Sequence, residues 1–218
     1  KEFIEAELLM PYDQAWLDAN FLEPNATAIG GKTYMPPSNA QVLPMVFYNK
    51  TIFAANNVEV PTTWSEFPAA VKTFAAAGVT PIELAGLDTW SASMPVVALA
   101  SADVLGDDPN WIQERISGTV KFSDANFVAA MQKGRDLVEA GAYSDSALSV
   151  DYGTANTNFF EGKSAMYIMG SWLVGQFPAE TVEEFGSFAF PTNDGAIVVP
   201  LAVGGTTVVS AKSPHADK

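Results

Sequence analysis

The chain has 218 residues, 48% of them hydrophobic, a formal net charge of -14, one histidine and no cysteine. That length and apolar content allow one large domain or two small ones with a real core, while the charge would repel nucleic acid and anionic membrane surfaces instead of steering them in. Without cysteine there is no disulfide, thiolate nucleophile or zinc–cysteine site, and no run approaches the roughly 18 apolar residues of a membrane-spanning helix.

Lys1 to Leu9 reads as an element in progress, with Phe3, Ile4, Leu8 and Leu9 apolar among acids. Pro36-Pro37-Ser38-Asn39 then punctuates the chain before a strand expected over Val42 to Tyr48. Thr63-Trp64-Ser65-Glu66 has capping-box spacing, and Phe67, Val71 and Phe74 recur on one helical face until Gly78. Pro68 falls at the fifth position of that helix, which predicts an irregular start or one a turn later. A strand follows at Val79 to Leu84, then a loop, Ala85 to Trp90, and a helix opened by Ser91 or Ser93 that runs to about Val104.

A short strand is expected at Thr119 to Phe122, and a helix at Asp124 to Ala140 with Gly141 as its stop and Gly134 as a weak point. Tyr152 to Glu161 reads as a helix, Gly162 as its left-handed terminator and Ala165 to Met169 as a buried strand. Gly170 permits a turn after which Ser171 is expected to cap another helix, with Trp172 in its first turn. That is just beyond the carboxyl end of a strand, where open α/β sheets bind ligands. Strands are expected at Ser187 to Phe190, Ala196 to Val203 and Thr207 to Ser210, and Ser213-Pro214 opens a helix that Lys218 cuts short. The alternation of helix and strand is that of an α/β layer with crossover connections. The breaks at Pro36–Asn39 and Pro191–Gly195 suggest two crossings between two lobes, against the plainer reading of surface loops in one domain.

Several chemistries fail on residue type. Gly30-Gly31-Lys32-Thr33 imitates the end of a phosphate-binding loop, but that loop needs glycine where Ala26 stands. His215 is the sole histidine, so neither a serine triad nor a zinc site is expected, and Gly106-Asp107-Asp108-Pro109-Asn110 lacks calcium-loop spacing. No metal and no cofactor are expected. Paired carboxylates remain as a catalytic option, with Asp88, Glu161 and Asp194 as the acids nearest a cleft, although Glu161 reads better as a solvated helix end. Asp88 with Trp90 has another use: a carboxylate accepts sugar hydroxyl hydrogen bonds while an indole covers the apolar face of a pyranose. Taken alone, Trp90 and Trp172 suit a core as well as a ligand platform.

From about Gly31 onward the chain resembles the extracellular solute-binding proteins of ABC importers, in the carbohydrate-binding group that includes maltose-binding protein. The resemblance rests on Gly31-Lys32-Thr33-Tyr34-Met35-Pro36, Tyr48-Asn49-Lys50 with Phe53, Pro61 to Phe67, Phe159 to Met166 and Gly170-Ser171-Trp172, in that order and at those separations. It implies a two-lobed, periplasmic-binding-protein-like α/β fold whose interlobe cleft binds a sugar or oligosaccharide for delivery to a membrane permease, without catalysis. It also implies a monomer in the periplasm or outside the cell, with a lipid-anchored parent among the forms it allows. By position Trp172 resembles the aromatic sugar platform and Asp88-Thr89-Trp90 the segment with a polar and an aromatic contact. Asn39 and Gln41 lie near the first crossing, and Gly204 and Gly205 near the return. The expected division is 1–40 for part of the first lobe, 41–191 for the second lobe and 192–218 for the return. Family members have a longer first lobe and several helices after these last strands, so this chain resembles mostly a second lobe. A noncarbohydrate solute and, from the enzyme class, glycoside hydrolysis are the competing readings.

Overall fold

The structure is a computed structural model that describes residues 2–205 and 207–215; the first residue of the expected opening element, Lys1, and the continuation of the expected Ser213-Pro214 helix to Lys218 lie outside them. In chain order the helices and strands are α1 (Glu2–Glu5), β1 (Leu9–Met10), α2 (Gln14–Asn20), β2 (Asn39–Val42), β3 (Met45–Asn49), α3 (Lys50–Ala55), α4 (Glu66–Ala76), β4 (Thr80–Glu83), α5 (Thr89–Ala92), α6 (Met94–Ala100), α7 (Trp111–Ser117), α8 (Ala125–Glu139), α9 (Tyr152–Phe160), β5 (Ser164–Met169), β6 (Phe185–Phe188), β7 (Leu201–Gly204) and β8 (Val209–Ser210). The chain divides into two compact units, one of residues 1–41 with 201–218 and one of residues 42–200.

In the smaller unit β1 pairs antiparallel with β8, Leu9 opposite Ser210 and Met10 opposite Val209. Asp13 caps α2 by accepting from the Trp16 N–H at 2.8 Å, and Leu17 on that helix is fully buried. A separate ladder joins β2 and β7.

The larger unit is built on a four-stranded sheet in the order β4-β5-β3-β6. β4 and β5 run parallel, Ile82 opposite Met166, whereas β3 lies antiparallel to both β5 and β6, Phe47 facing Tyr167 on one side and Ser187 on the other. All six residues of β5 are buried, as expected of a central strand covered on both faces. Phe67, Val71 and Phe74 of α4 and Phe159 of α9 pack into the same core as Ile82, Met166 and Ile168.

Local chemistry moves several boundaries. The strand expected at Val42 to Tyr48 is two, because Pro44 has no N–H to continue a ladder. Helix α4 starts at Glu66, which places Pro68 in the first turn, where a missing N–H breaks nothing. Glu66 supplies its half of the capping box, accepting from the Thr62 and Thr63 N–H groups at 2.8 and 3.1 Å, while the Thr63 hydroxyl bonds Ser65. The helix expected from Ser91 or Ser93 opens earlier, as α5, and continues through α6 into a π-helical turn, Ser101–Leu105. No strand forms at Thr119 to Phe122: Asp124 accepts from the Lys121 N–H at 2.8 Å to make a turn, and Phe122 packs edge-on against Phe127. At Gly134 a Cβ would stand 3.2 Å from the Leu99 side chain on α6, a tight contact that this helix pair avoids with glycine. β6 lies two residues before its expected place, with Gly186 inside it because the Tyr48 ring covers that α-carbon. Of Ala196 to Val203 only the end is strand, and the pairing of Thr207 to Ser210 is confined to β8.

Candidate functional site

Four segments of the larger unit converge beyond the carboxyl ends of β4 and β5: the loop 84–88, α5, the start of α9 and the turn after β5. The loop is pinned in three places. The Gly86 N–H donates to the Ala147 carbonyl and the Leu87 N–H to that of Val150, both at 3.0 Å, and Asp88 Oδ2 accepts from the Tyr152 N–H at 2.7 Å. A Cβ at Gly86 would come 2.6 Å from the Ala147 carbonyl oxygen, so glycine is needed for this approach. Asp88 thereby satisfies an orphan N–H at the positive end of α9, where Asp151 also accepts from the Thr154 N–H at 2.8 Å.

β5 ends at Met169, and Gly170 lets the chain fold so that the six-membered ring of Trp172 covers its α-carbon. The helix expected after Ser171 is present as a 3₁₀ helix, Ser171–Gln176. Ser171 does not cap it; its hydroxyl accepts from the Val42 N–H at 3.2 Å, which draws the turn toward the start of the unit. Trp172 nevertheless occupies the expected position past the strand end. Its indole N–H donates to the Tyr152 hydroxyl at 3.1 Å, and its ring lies 6.0 Å from that of Trp90. Trp90 in turn meets Tyr152 edge-on at 4.9 Å and is 45% exposed, which leaves apolar ring surface facing water.

Asp88, Trp90 and Trp172 therefore come together, joined by three residues that sequence reading missed as site residues. Tyr152 sits at their centre, Gln176 donates to its hydroxyl at 3.0 Å, and buried Asn156 donates to Gln176 at 2.8 Å. Tyr152 was visible as a helix start, but nothing in the residue order shows that Gln176 reaches its hydroxyl. The other expected residues lie in the smaller unit. Asn39 and Gln41 are on β2, the former exposed and the latter half-buried; Gly204 ends β7 with open space where a Cβ would be. Gly205 has a backbone reason to be glycine, because a side chain would strike the Pro36 carbonyl.

Below the loop, Glu83 on β4 is 7% exposed, and burial raises its carboxyl above the usual carboxylate range against the hydrogen bond donated by the Asn158 amide and the charge of Lys163. The Tyr167 phenol is pushed up by burial too. The remaining candidate acids have local partners: Glu161 pairs with Lys163 at 2.8 Å, and Asp194 accepts from the Thr192 hydroxyl at 3.0 Å and the Ala196 N–H at 3.1 Å. Those backbone and hydroxyl donors hold Asp194 below the usual range. Surface hollows of about 510 Å³, beside Val58 to Thr62, and about 410 Å³, beside Trp111 and Phe122, are lined by none of Asp88, Trp90, Tyr152 or Trp172. Within this unit the aromatic cluster is a partly exposed shelf, Trp90 being the most open of its three rings.

A chitin oligosaccharide binding protein superposes on 99% of this chain and 56% of its own length with a TM-score of 0.84 at 24% identity. A structure described under xylan utilization by the thermophilic bacterium Caldanaerobius polysaccharolyticus matches 99% of this chain and 57% of its own, with a TM-score of 0.83 and 27% identity. Among curated relatives, the multiple sugar-binding protein of Streptococcus mutans is 27% identical over 195 residues, 88% of this chain and 46% of that protein. The osmoprotective compounds-binding protein GgtB of Synechocystis is 25% identical over 210 residues, 91% of this chain and 48% of the relative. The chain thus spans about half the length of the curated relatives it matches, and its fold is that of periplasmic binding proteins. The family model for bacterial extracellular solute-binding proteins matches residues 1–218, including the 30 residues before the sequence resemblance begins. The chain belongs to the bacterial extracellular solute-binding protein family.

Proposed function

We propose that the parent protein is a receptor that binds a sugar or oligosaccharide in an interlobe cleft and hands it to an ABC importer's permease, with the larger unit supplying the aromatic part of the site. The observation that carries this reading is the convergence of Trp90, Trp172 and Tyr152 with Asp88. Partly exposed rings offer faces for the C–H surface of a pyranose, and the second carboxylate oxygen of Asp88 bonds no protein group among the described residues and can accept from a hydroxyl. Relatives named as sugar-binding proteins support the ligand class. Asn39, Gln41, Gly204 and Gly205 are proposed as further ligand contacts from their strand positions, and 41–191 as the second lobe. The parent would act as a monomer in the periplasm or outside the cell.

Calorimetric titration of the intact parent with mono- and oligosaccharides tests the reading. Micromolar or tighter binding without release of reducing ends supports a receptor. Failure of the whole panel with folded, ligand-free protein overturns the sugar assignment. The relative named for osmoprotective compounds favours a second reading, a noncarbohydrate solute, which competition by such compounds would reveal.

A further inference from the structure

Tyr152 is held at both its ends. Its backbone N–H donates to Asp88 Oδ2, and its phenol oxygen accepts from Trp172 Nε1 at 3.1 Å and from Gln176 Nε2 at 3.0 Å. A hydroxyl oxygen has two acceptor positions, and both are occupied. An indole has one N–H and no acceptor, so this single bond uses all the polar capacity of Trp172. On its other side the Trp172 ring rests on the Gly170 α-carbon. A rotation that turned the indole N–H toward a ligand would break the bond to Tyr152.

We propose that Tyr152 is the positioning residue of the aromatic shelf: by accepting the indole N–H it commits Trp172 to contact ligands by its ring surface alone. The site then favours ligands with a broad C–H face over those that need a hydrogen bond from the indole. This rests on the reading of Trp172 as a ligand platform, but the positioning itself is measurable without any ligand. The chain of donors Asn156 to Gln176 to Tyr152 supports the geometry from behind, since Gln176 is oriented by the 2.8 Å bond from Asn156.

Tyr152→Phe keeps the ring that meets Trp90 and removes only the acceptor. In the full-length protein with ¹⁵N-labelled tryptophan, the Trp172 indole signal is assigned by its loss in Trp172→Phe. Without ligand, its hydrogen exchange in wild type should be slower than that of exposed Trp90. Tyr152→Phe should speed it by about tenfold, the size of one net hydrogen bond, and leave the Trp64 and Trp111 indoles unchanged. A Trp172 signal with unaltered shift and exchange in Tyr152→Phe overturns the proposal, and so does a wild-type Trp172 indole that exchanges as fast as that of Trp90. The second result needs no variant to fold. Saccharides bound by wild type should bind Tyr152→Phe about fivefold to tenfold more weakly. If wild type binds no saccharide, the sugar reading fails while the exchange result still decides the positioning role.

Discussion

The six-membered ring of Trp172 lies over the α-carbon of Gly170, two residues earlier, so closely that no side chain fits between them. Gly170→Ala must therefore displace the indole from its place against Tyr152. The expected cost is about 1–3 kcal/mol of stability, typical of overpacking, together with weaker ligand binding. Chemical denaturation and titration of the same variant check both, and unchanged affinity would show that the indole position is irrelevant to the ligand.

Trp172→Ala in the intact receptor removes the ring without crowding the turn. A loss of about 2 kcal/mol, roughly thirtyfold in affinity, is expected for a buried aromatic anchor. Calorimetry that returns the wild-type dissociation constant would take Trp172 out of the site.

Asp88 acts on the scaffold as well as on the proposed ligand, through its 2.7 Å bond from the Tyr152 N–H. Asp88→Ala should destabilise the protein by about 1–2 kcal/mol, while Asp88→Asn retains an acceptor and loses less. Thermal unfolding of the two variants should separate them in that order; equal melting temperatures would mean that the helix start is satisfied another way.

Glu83 gives a pH dependence with a definite sign. Burial raises its folded-state value above the ordinary 4.5, so the folded protein holds the proton where the unfolded chain has released it. Its contribution is full below the unfolded value and is lost as pH climbs through the folded one. Glu83→Gln should remove that loss and gain stability relative to wild type between acid and neutral pH. Denaturant midpoints measured across that range would refute the assignment if the difference between the two proteins stayed flat. Asp151 and Asp194, lowered chiefly by backbone donors, work in the opposite sense: their contributions hold above the ordinary 3.8 and fade as pH falls through their folded values.

Much of this fold is written in local patterns. The apolar run 165–169 between Gly162 and Gly170 appears as the buried centre of a sheet, and the stops at Gly78, Gly141 and Gly162 all take positive φ. The errors arise where a distant partner decides. The strand expected at Ser187 to Phe190 begins instead at Phe185, because nothing near Gly186 in the sequence shows that the ring of Tyr48 will lie on it. Ser171 looked like a cap, yet its hydroxyl is taken by the N–H of Val42, 129 residues away. The candidate site was legible in the same measure. Trp172 and Asp88-Thr89-Trp90 were visible by their place after strands, whereas Tyr152 and Gln176 enter through side-chain bonds spanning 20 and 24 residues.

The placement of Trp172 three residues after the last residue of β5 has a kinetic consequence. β5 pairs with strands on both sides and is buried along its whole length, so its amides should open only with the unit as a whole. A ligand resting on Trp172 would be anchored to the slowest-opening segment of the chain, while Trp90 rides on the short α5 at the end of a loop. The Trp172 side of the site would then stay fixed for as long as the unit stays folded.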